Sequence, residues 1–249
     1  MTVQYGKSIT LKLAQALLFG ASLISSIASA QSVDKIKSDL QRQLGANAEI
    51  KSVSASVIPG LYEVVINNSL VYTDAQARYM IQGEMVDLKS GANLTEIRQN
   101  ELNRIRWSDL PLQNAIKMVK GNGSRKLAVF ADPNCGYCKR LEKTLADMDN
   151  ITVYTFLIPI LSPDSTVKSK QIWCSSDAAT AWSGWMINGT APSGKTDCAN
   201  PLDKNLALSK SMNVSGTPAI FFIDGSRIPG AASRDVLEKK LNAMSAAGK

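Results

Sequence analysis

The chain is 249 residues long, 45% hydrophobic and 20% charged, a composition that excludes intrinsic disorder and allows one or two domains. It carries 28 basic and 21 acidic side chains, a formal charge of +7, and no histidine. Without imidazole, Ser-His-Asp and Cys-His catalysis are excluded.

Residues 1–30 set Lys7 and Lys12 before the apolar run Leu13–Ile27 and the small triplet Ala28-Ser29-Ala30. That order predicts a secretory signal peptide cleaved after Ala30. Its two lysines gone, 26 bases face 21 acids, a net +5. Bases and acids alternate along the chain, which predicts a solvated surface and no nucleic-acid partner. No other segment approaches the ~20 apolar residues that span a bilayer, so no stable membrane insertion is expected. Export implies an oxidising compartment, where four cysteines allow three complete pairings.

Val33, Ile36, Leu40 and Leu44 recur at helical spacing before Gly45, which predicts a helix with a glycine stop. Five short strand-like runs follow: AEIKSVSASV, LYEVVI, SLVYTD, ARYMIQG and EMVDLKS. Turn residues at Pro59-Gly60, Asn67-Asn68, Asp74-Ala75 and Gly83 separate them, so one helix and an antiparallel meander are expected. An α+β unit of roughly 60 residues is marginal in its burial, which favours oligomerisation. ANLTEIRQNELNRIRW reads as a connecting helix of about 14 residues with a thin apolar stripe. SDLPLQNAIKMVKGNGSRK offers Ser108 or Asp109 as a cap, then a short helix, then the turn Gly121-Asn122-Gly123.

From Lys126 the pattern becomes α/β. A buried-looking strand, Leu127–Ala131, leads to Cys135 and Cys138 and to a helix with Leu141, Leu145 and Met148 on one face. ITVYTFLIPI is a second strand, and a long, mostly helical stretch runs from Ser165 to Leu208. VSGTPAIFFIDGSRIPG reads as two strands around Asp224-Gly225, and SRDVLEKKLNAM as the closing helix. Helices on a central sheet follow from this order.

Three readings compete for Cys135 and Cys138. Zinc needs two more ligands at close spacing, whereas Cys174 and Cys198 lie 24 positions apart and no histidine can help. An inert disulfide over so short a loop constrains the unfolded chain little. A redox dithiol at a strand-to-helix junction is favoured, because a helix start offers unpaired N–H groups and a positive dipole end to a thiolate. Cys135 is then the exposed nucleophile, and Cys138, one helical turn on, faces inward and resolves the mixed disulfide.

DPNCGYC, with SGTPA about 80 residues downstream, resembles the thioredoxin superfamily. The Gly136-Tyr137 dipeptide, the helical insertion and LVYTD…YMIQGEMVDL make the chain similar to the periplasmic disulfide isomerases of the DsbC/DsbG family. The resemblance implies an N-terminal dimerisation domain (31–91, helix plus meander, cystatin-like), a linker helix region (92–124) and a thioredoxin-like redox domain with a helical insertion (125–249). It makes Cys135 the nucleophile and Cys138 the resolving thiol. Gly136, Tyr137, Thr217 and Pro218 contact the client, with Thr217–Pro218 cis, and Cys174 and Cys198 form a second, non-catalytic disulfide. No cofactor or metal is implied. The expected partners are a second copy in a V-shaped homodimer, misfolded disulfide-containing exported proteins, and a membrane reductant of the DsbD type, all in the periplasm. A DsbG-like isomerase of narrower client range, a monomeric thiol oxidase and a holdase chaperone are the alternatives. One departure stands out. Thioredoxins carry a buried carboxylate six positions before the nucleophile, where this chain has Val129.

Overall fold

A computed structural model describes residues 33–247, so the expected signal peptide lies outside the described residues. The described chain divides into two compact units, one ending at Gln99 and the other beginning at Asn100.

The first unit starts with helix α1 over residues 33–44. Strands β1 (Ile50–Ala55), β2 (Leu61–Ile66), β3 (Ser69–Asp74) and β4 (Met80–Ile81) form an antiparallel sheet in that order. Ile36 and Leu40 of α1 pack on Val53, Val64 and Val71, so the helical and strand periodicities meet at one core. Asn67 and Asn68 both hold positive φ, 48° and 70°, in the two-residue turn between Ile66 and Ser69. Asparagine tolerates that conformation, and such turns match the twist of a hairpin.

Two expectations fail in this unit. EMVDLKS does not extend the meander: β5 (Val86–Asp87) pairs with β6 (Ala92–Asn93) in a separate hairpin. Asp87 closes it by accepting from Lys89 N–H at 2.8 Å, and Val86 has no core to enter because it is exposed. The connecting helix is also shorter than read. Helix α2 (Leu94–Leu102) has nine residues, none buried. Polar contacts hold it instead. Thr95 Oγ1 lies 2.6 Å from Tyr72 Oη, Gln99 Oε1 accepts from Leu70 N–H at 2.9 Å, and Arg98 pairs with Glu63 at 2.9 Å.

The second unit is built on a five-stranded sheet: β7 (Ile116–Lys120), β8 (Arg125–Ala131), β9 (Ile151–Leu157), β10 (Ala219–Phe222) and β11 (Arg227–Pro229). Its order is β11-β10-β8-β9-β7, with only the β8–β9 pair parallel. Both faces are covered. Leu127, Val129 and Ala131 of β8 point to one core together with Leu141, Leu145, Leu237 and Leu241. Ala128 and Phe130 point to the other with Phe156 and Phe221. That is the near-continuous apolar run of a central strand. Around the sheet lie α3 (Gly136–Ala146), α4 (Pro163–Trp173), α5 (Ala178–Ser183), α6 (Leu202–Ser211) and α7 (Arg234–Ala247).

The short helix expected from Ser108 or Asp109 is replaced by two 3₁₀ turns, Trp107–Asp109 and Leu112–Asn114, and then by edge strand β7. Pro111 interrupts any helix there, while Ile116 is buried and Met118 packs against the core. The long helical stretch is likewise divided. A π-turn, Gly184–Asn188, follows α5 and ends at Gly189 with φ 73°. Residues 190–201, with Pro192, Gly194 and Pro201, run without helix. Glycine is required at 194, where a Cβ would lie 2.0 Å from the Gln171 carbonyl oxygen. Among the described residues no helix is long and apolar enough to cross a membrane.

Candidate functional site

Strand β8 delivers the chain to Asp132, and α3 begins four residues later. What lies between is fixed by a carboxylate. The fully buried Asp132 accepts from Asn134 N–H at 2.7 Å and Ser165 Oγ at 2.8 Å through Oδ1. Its Oδ2 accepts from the N–H groups of Ile160 at 2.8 Å and Leu161 at 3.0 Å, and its carbonyl accepts from Cys135 N–H at 3.1 Å. Asn134 Nδ2 donates to Ser162 Oγ at 3.1 Å and Asp164 Oδ2 at 2.8 Å. On the other side the Trp185 indole donates to the Pro133 carbonyl at 2.6 Å. The Lys139 and Lys168 ammonium groups lie 4.0 and 4.8 Å from the centre of the Trp185 ring, within cation–π range. The three residues before Cys135 are thus clasped by the end of β9, the start of α4 and the π-turn.

Cys135 is the N-cap of α3, with φ −77° and ψ 117°. Its Sγ accepts from Cys138 N–H at 3.2 Å, satisfying one of the orphan donors of the first turn. The same thiol donates to the Thr217 carbonyl at 3.2 Å. The sequence expects Cys135 to be exposed; it is 4% exposed, because the Thr217–Pro218 loop lies against it and its sulfur turns back over its own helix. Cys138, 1% exposed, lies inward one turn on. Both are free thiols. Burial pushes the Cys138 thiol well above its usual range, reinforced by the neighbouring Cys135 and offset in part by the Asp132 backbone and the Thr217 side chain.

Thr217–Pro218 is a cis peptide, and the Pro218 carbonyl accepts from Gly230 N–H at 2.7 Å. Gly136 and Tyr137 are exposed beside the pair, Tyr137 by 61%. A Cβ at Gly136 would meet nothing within 4 Å, so glycine is there to leave the rim of the site bare, not to avoid a clash. The structure therefore gathers Cys135, Cys138, Gly136, Tyr137, Thr217 and Pro218 at one end of the sheet. Cys174 and Cys198 are not among them. They form a disulfide with each other, Cα atoms 5.8 Å apart, joining the C-cap of α4 to the irregular segment before α6. Among the described residues no group of three or more cysteine, aspartate and glutamate side chains could hold a metal ion.

Residues 112–245 match the family model of a thioredoxin-like domain, and residues 27–96 that of the disulfide bond isomerase protein N-terminal domain. The thiol:disulfide interchange protein DsbC of Salmonella typhimurium is 30% identical over 185 residues, covering 72% of this chain and 75% of the relative. The chain belongs to the DsbC family. The probable thiol:disulfide interchange protein DsbC of Bordetella pertussis is 52% identical over 182 residues, 73% of this chain, and the match spans 65% of that relative's length. A crystal structure of a disulfide interchange protein from Neisseria gonorrhoeae is 40% identical with a TM-score of 0.52, covering 54% of this chain and 97% of that one. The DsbC-family fold, a smaller helix-and-sheet domain followed in the chain by a thioredoxin-like domain, is thus the fold described above.

Against this DsbC-family frame, three residues of the site are absent from the sequence reading. Asp132 and Trp185 act on the loop before Cys135, from opposite sides. Glu142 stands one turn after Cys138 on the buried side of α3, 2% exposed. Burial pushes its carboxyl up to about 7, and the nearby Trp182 indole offsets only part of this. Val129, at the position where thioredoxins carry a carboxylate, is core in β8.

Proposed function

We propose that this DsbC-family chain is a thiol:disulfide isomerase and reductase that rearranges non-native disulfides in exported proteins. The observation that carries the proposal is the Cys135 sulfur held between the Cys138 N–H and the Thr217 carbonyl. The amide that donates to the thiol also stabilises a thiolate in the same place. The Cys135 thiolate attacks one sulfur of a client disulfide. A bond forms between Cys135 and that sulfur, the client S–S bond breaks, and the other client sulfur leaves as a thiolate that takes a proton from water. A client thiol then attacks the mixed disulfide, which frees Cys135 and leaves the client with a new pairing and no net change in redox state. In the reductive branch the Cys138 sulfur attacks instead; the client leaves with both thiols and the protein retains a Cys135–Cys138 disulfide.

The N-terminal unit serves as the dimer contact. Its sheet ends on β4 with Met80, Ile81 and the adjoining Tyr79 exposed, an apolar open edge of the kind that second copies cover. Two sites on one dimer raise the effective concentration of a held client, which is also the basis of a chaperone activity. The working compartment is the periplasm, to which residues 1–30 direct the chain before they are cleaved, and a DsbD-type membrane reductant returns the pair to the dithiol state. Scrambled ribonuclease tests the whole reading. A chain of residues 31–249 should restore its activity, the Cys135→Ala variant should not, and a chain beginning near Ser108 should be monomeric and restore it poorly. Equal recovery by the Cys135→Ala variant would overturn the proposal.

A further inference from the structure

Next to the site, a recess of about 630 Å³ opens between α3 and the start of α7. Tyr137 and Thr217 form the wall nearest the cysteine pair, Gly230 and Ser233 line the far side, and Arg140 and Arg234 supply the only charged groups of the lining. Both arginines are exposed. Arg140 stacks over the Tyr137 ring, 5.3 Å from its centre, which orients its guanidinium along the rim, and among the described residues no carboxylate pairs with it.

The surroundings offset this charge only in part. Helix α3 carries Lys139, Arg140 and Lys143, and its one acid, Glu142, is buried on the opposite side. Lys139 is engaged by Trp185. On α7 the acids are Asp235 and Glu238. Glu238 interacts with Arg234 electrostatically but hydrogen-bonds Arg125, so one carboxylate is shared between two guanidiniums. The recess is a cationic pocket within reach of whatever Cys135 attacks.

We propose that this pocket selects clients in which an aspartate or glutamate flanks the attacked cysteine, with Arg140 and Arg234 receiving the carboxylate. This rests on the reading of Cys135 as the attacking thiol. An extended client segment joined to Cys135 must pass over Tyr137 and Thr217, and the side chains beside its cysteine then fall at the mouth of the recess. Both guanidiniums are exposed, so each contributes as an exposed ion pair does, not as a buried one.

The test uses two synthetic peptides that each hold one intramolecular disulfide and differ only in having Glu or Gln beside each cysteine. Their reduction by the dithiol protein is followed at low and at high ionic strength. The acidic peptide should react about 5-fold faster at low salt, the yield of two exposed charge pairs, and the advantage should fade at high salt. In the Arg140→Glu/Arg234→Glu variant the preference should invert. Equal rates for the two peptides in the wild-type protein, or a preference that survives the charge reversal, would overturn the inference and leave the isomerase reading standing. Reduction of neither peptide would overturn both.

Discussion

Relative to wild type, Glu142→Gln should gain stability in the redox unit as pH rises from acid to alkaline. The wild-type carboxyl is buried in the folded protein, where its pKa is raised to about 7 from an ordinary 4.5. A carboxyl raised in this way contributes stability that is fully present below the unfolded value and is lost as pH rises through the folded one, because the unfolded chain releases the proton first. The spacing between the two values, at 1.36 kcal/mol per pH unit, makes the wild-type penalty about 3 kcal/mol near pH 8, about 2 near pH 6 and about 1 near pH 5. Glutamine does not titrate, so the difference between variant and wild type should follow that curve whatever constant cost the buried amide adds. All four tryptophans, at positions 107, 173, 182 and 185, belong to the redox unit, so guanidinium unfolding read by their fluorescence reports this unit alone. Titrations shared by both proteins cancel in the difference. A stability difference that stays flat between about pH 5 and 8 would refute the idea that Glu142 is buried as an ionisable group.

Three further outcomes follow from the site and its supports. Asp132→Ala should destabilise the redox unit by about 3 kcal/mol or more, since it removes the acceptor of three backbone N–H groups and the Ser165 hydroxyl; thermal unfolding checks it, and a loss below about 1 kcal/mol would count against the clasp. Cys138 should resist iodoacetamide at neutral pH and label only in strong base, since its thiol is pushed upward by burial; mass mapping of the reduced protein would expose an early Cys138 adduct. The Cys174→Ala/Cys198→Ala variant should lose about 3–4 kcal/mol by the chain-entropy estimate for a loop of this length, measured by denaturant unfolding, while peptide reduction at Cys135 continues because the disulfide stands apart from the cysteine pair.

What could be read from the sequence was local. The Leu127–Ala131 run, the cysteine spacing and the apolar face of Leu141 and Leu145 are set within one strand and one helix, and the Asn67-Asn68 turn is set by two residues. What could not be read depends on contacts far along the chain. The burial of Cys135 comes from Thr217, 82 positions away. Trp185 reaches Pro133 over 52 positions, and nothing near it in the sequence marks it off from the core tryptophan Trp182. Glu142 sits between leucine and lysine like any surface charge, and Asp132 before Pro133 reads as a turn residue. Strand β7 was concealed by Ser108, Asp109 and Pro111, which are helix-start signals, and by Leu112, Ala115 and Ile116, which recur at helical spacing although Ile116 enters the core from an edge strand.

The division of labour between the two thiols is tested most directly by trapping. The Cys138→Ser variant, mixed with a disulfide-bonded client peptide, should accumulate a stable mixed disulfide, and peptide mapping by mass spectrometry should find the client on Cys135. An adduct on Cys174 or Cys198, or no adduct at all, would contradict the assignment of Cys135 as the thiol that attacks clients.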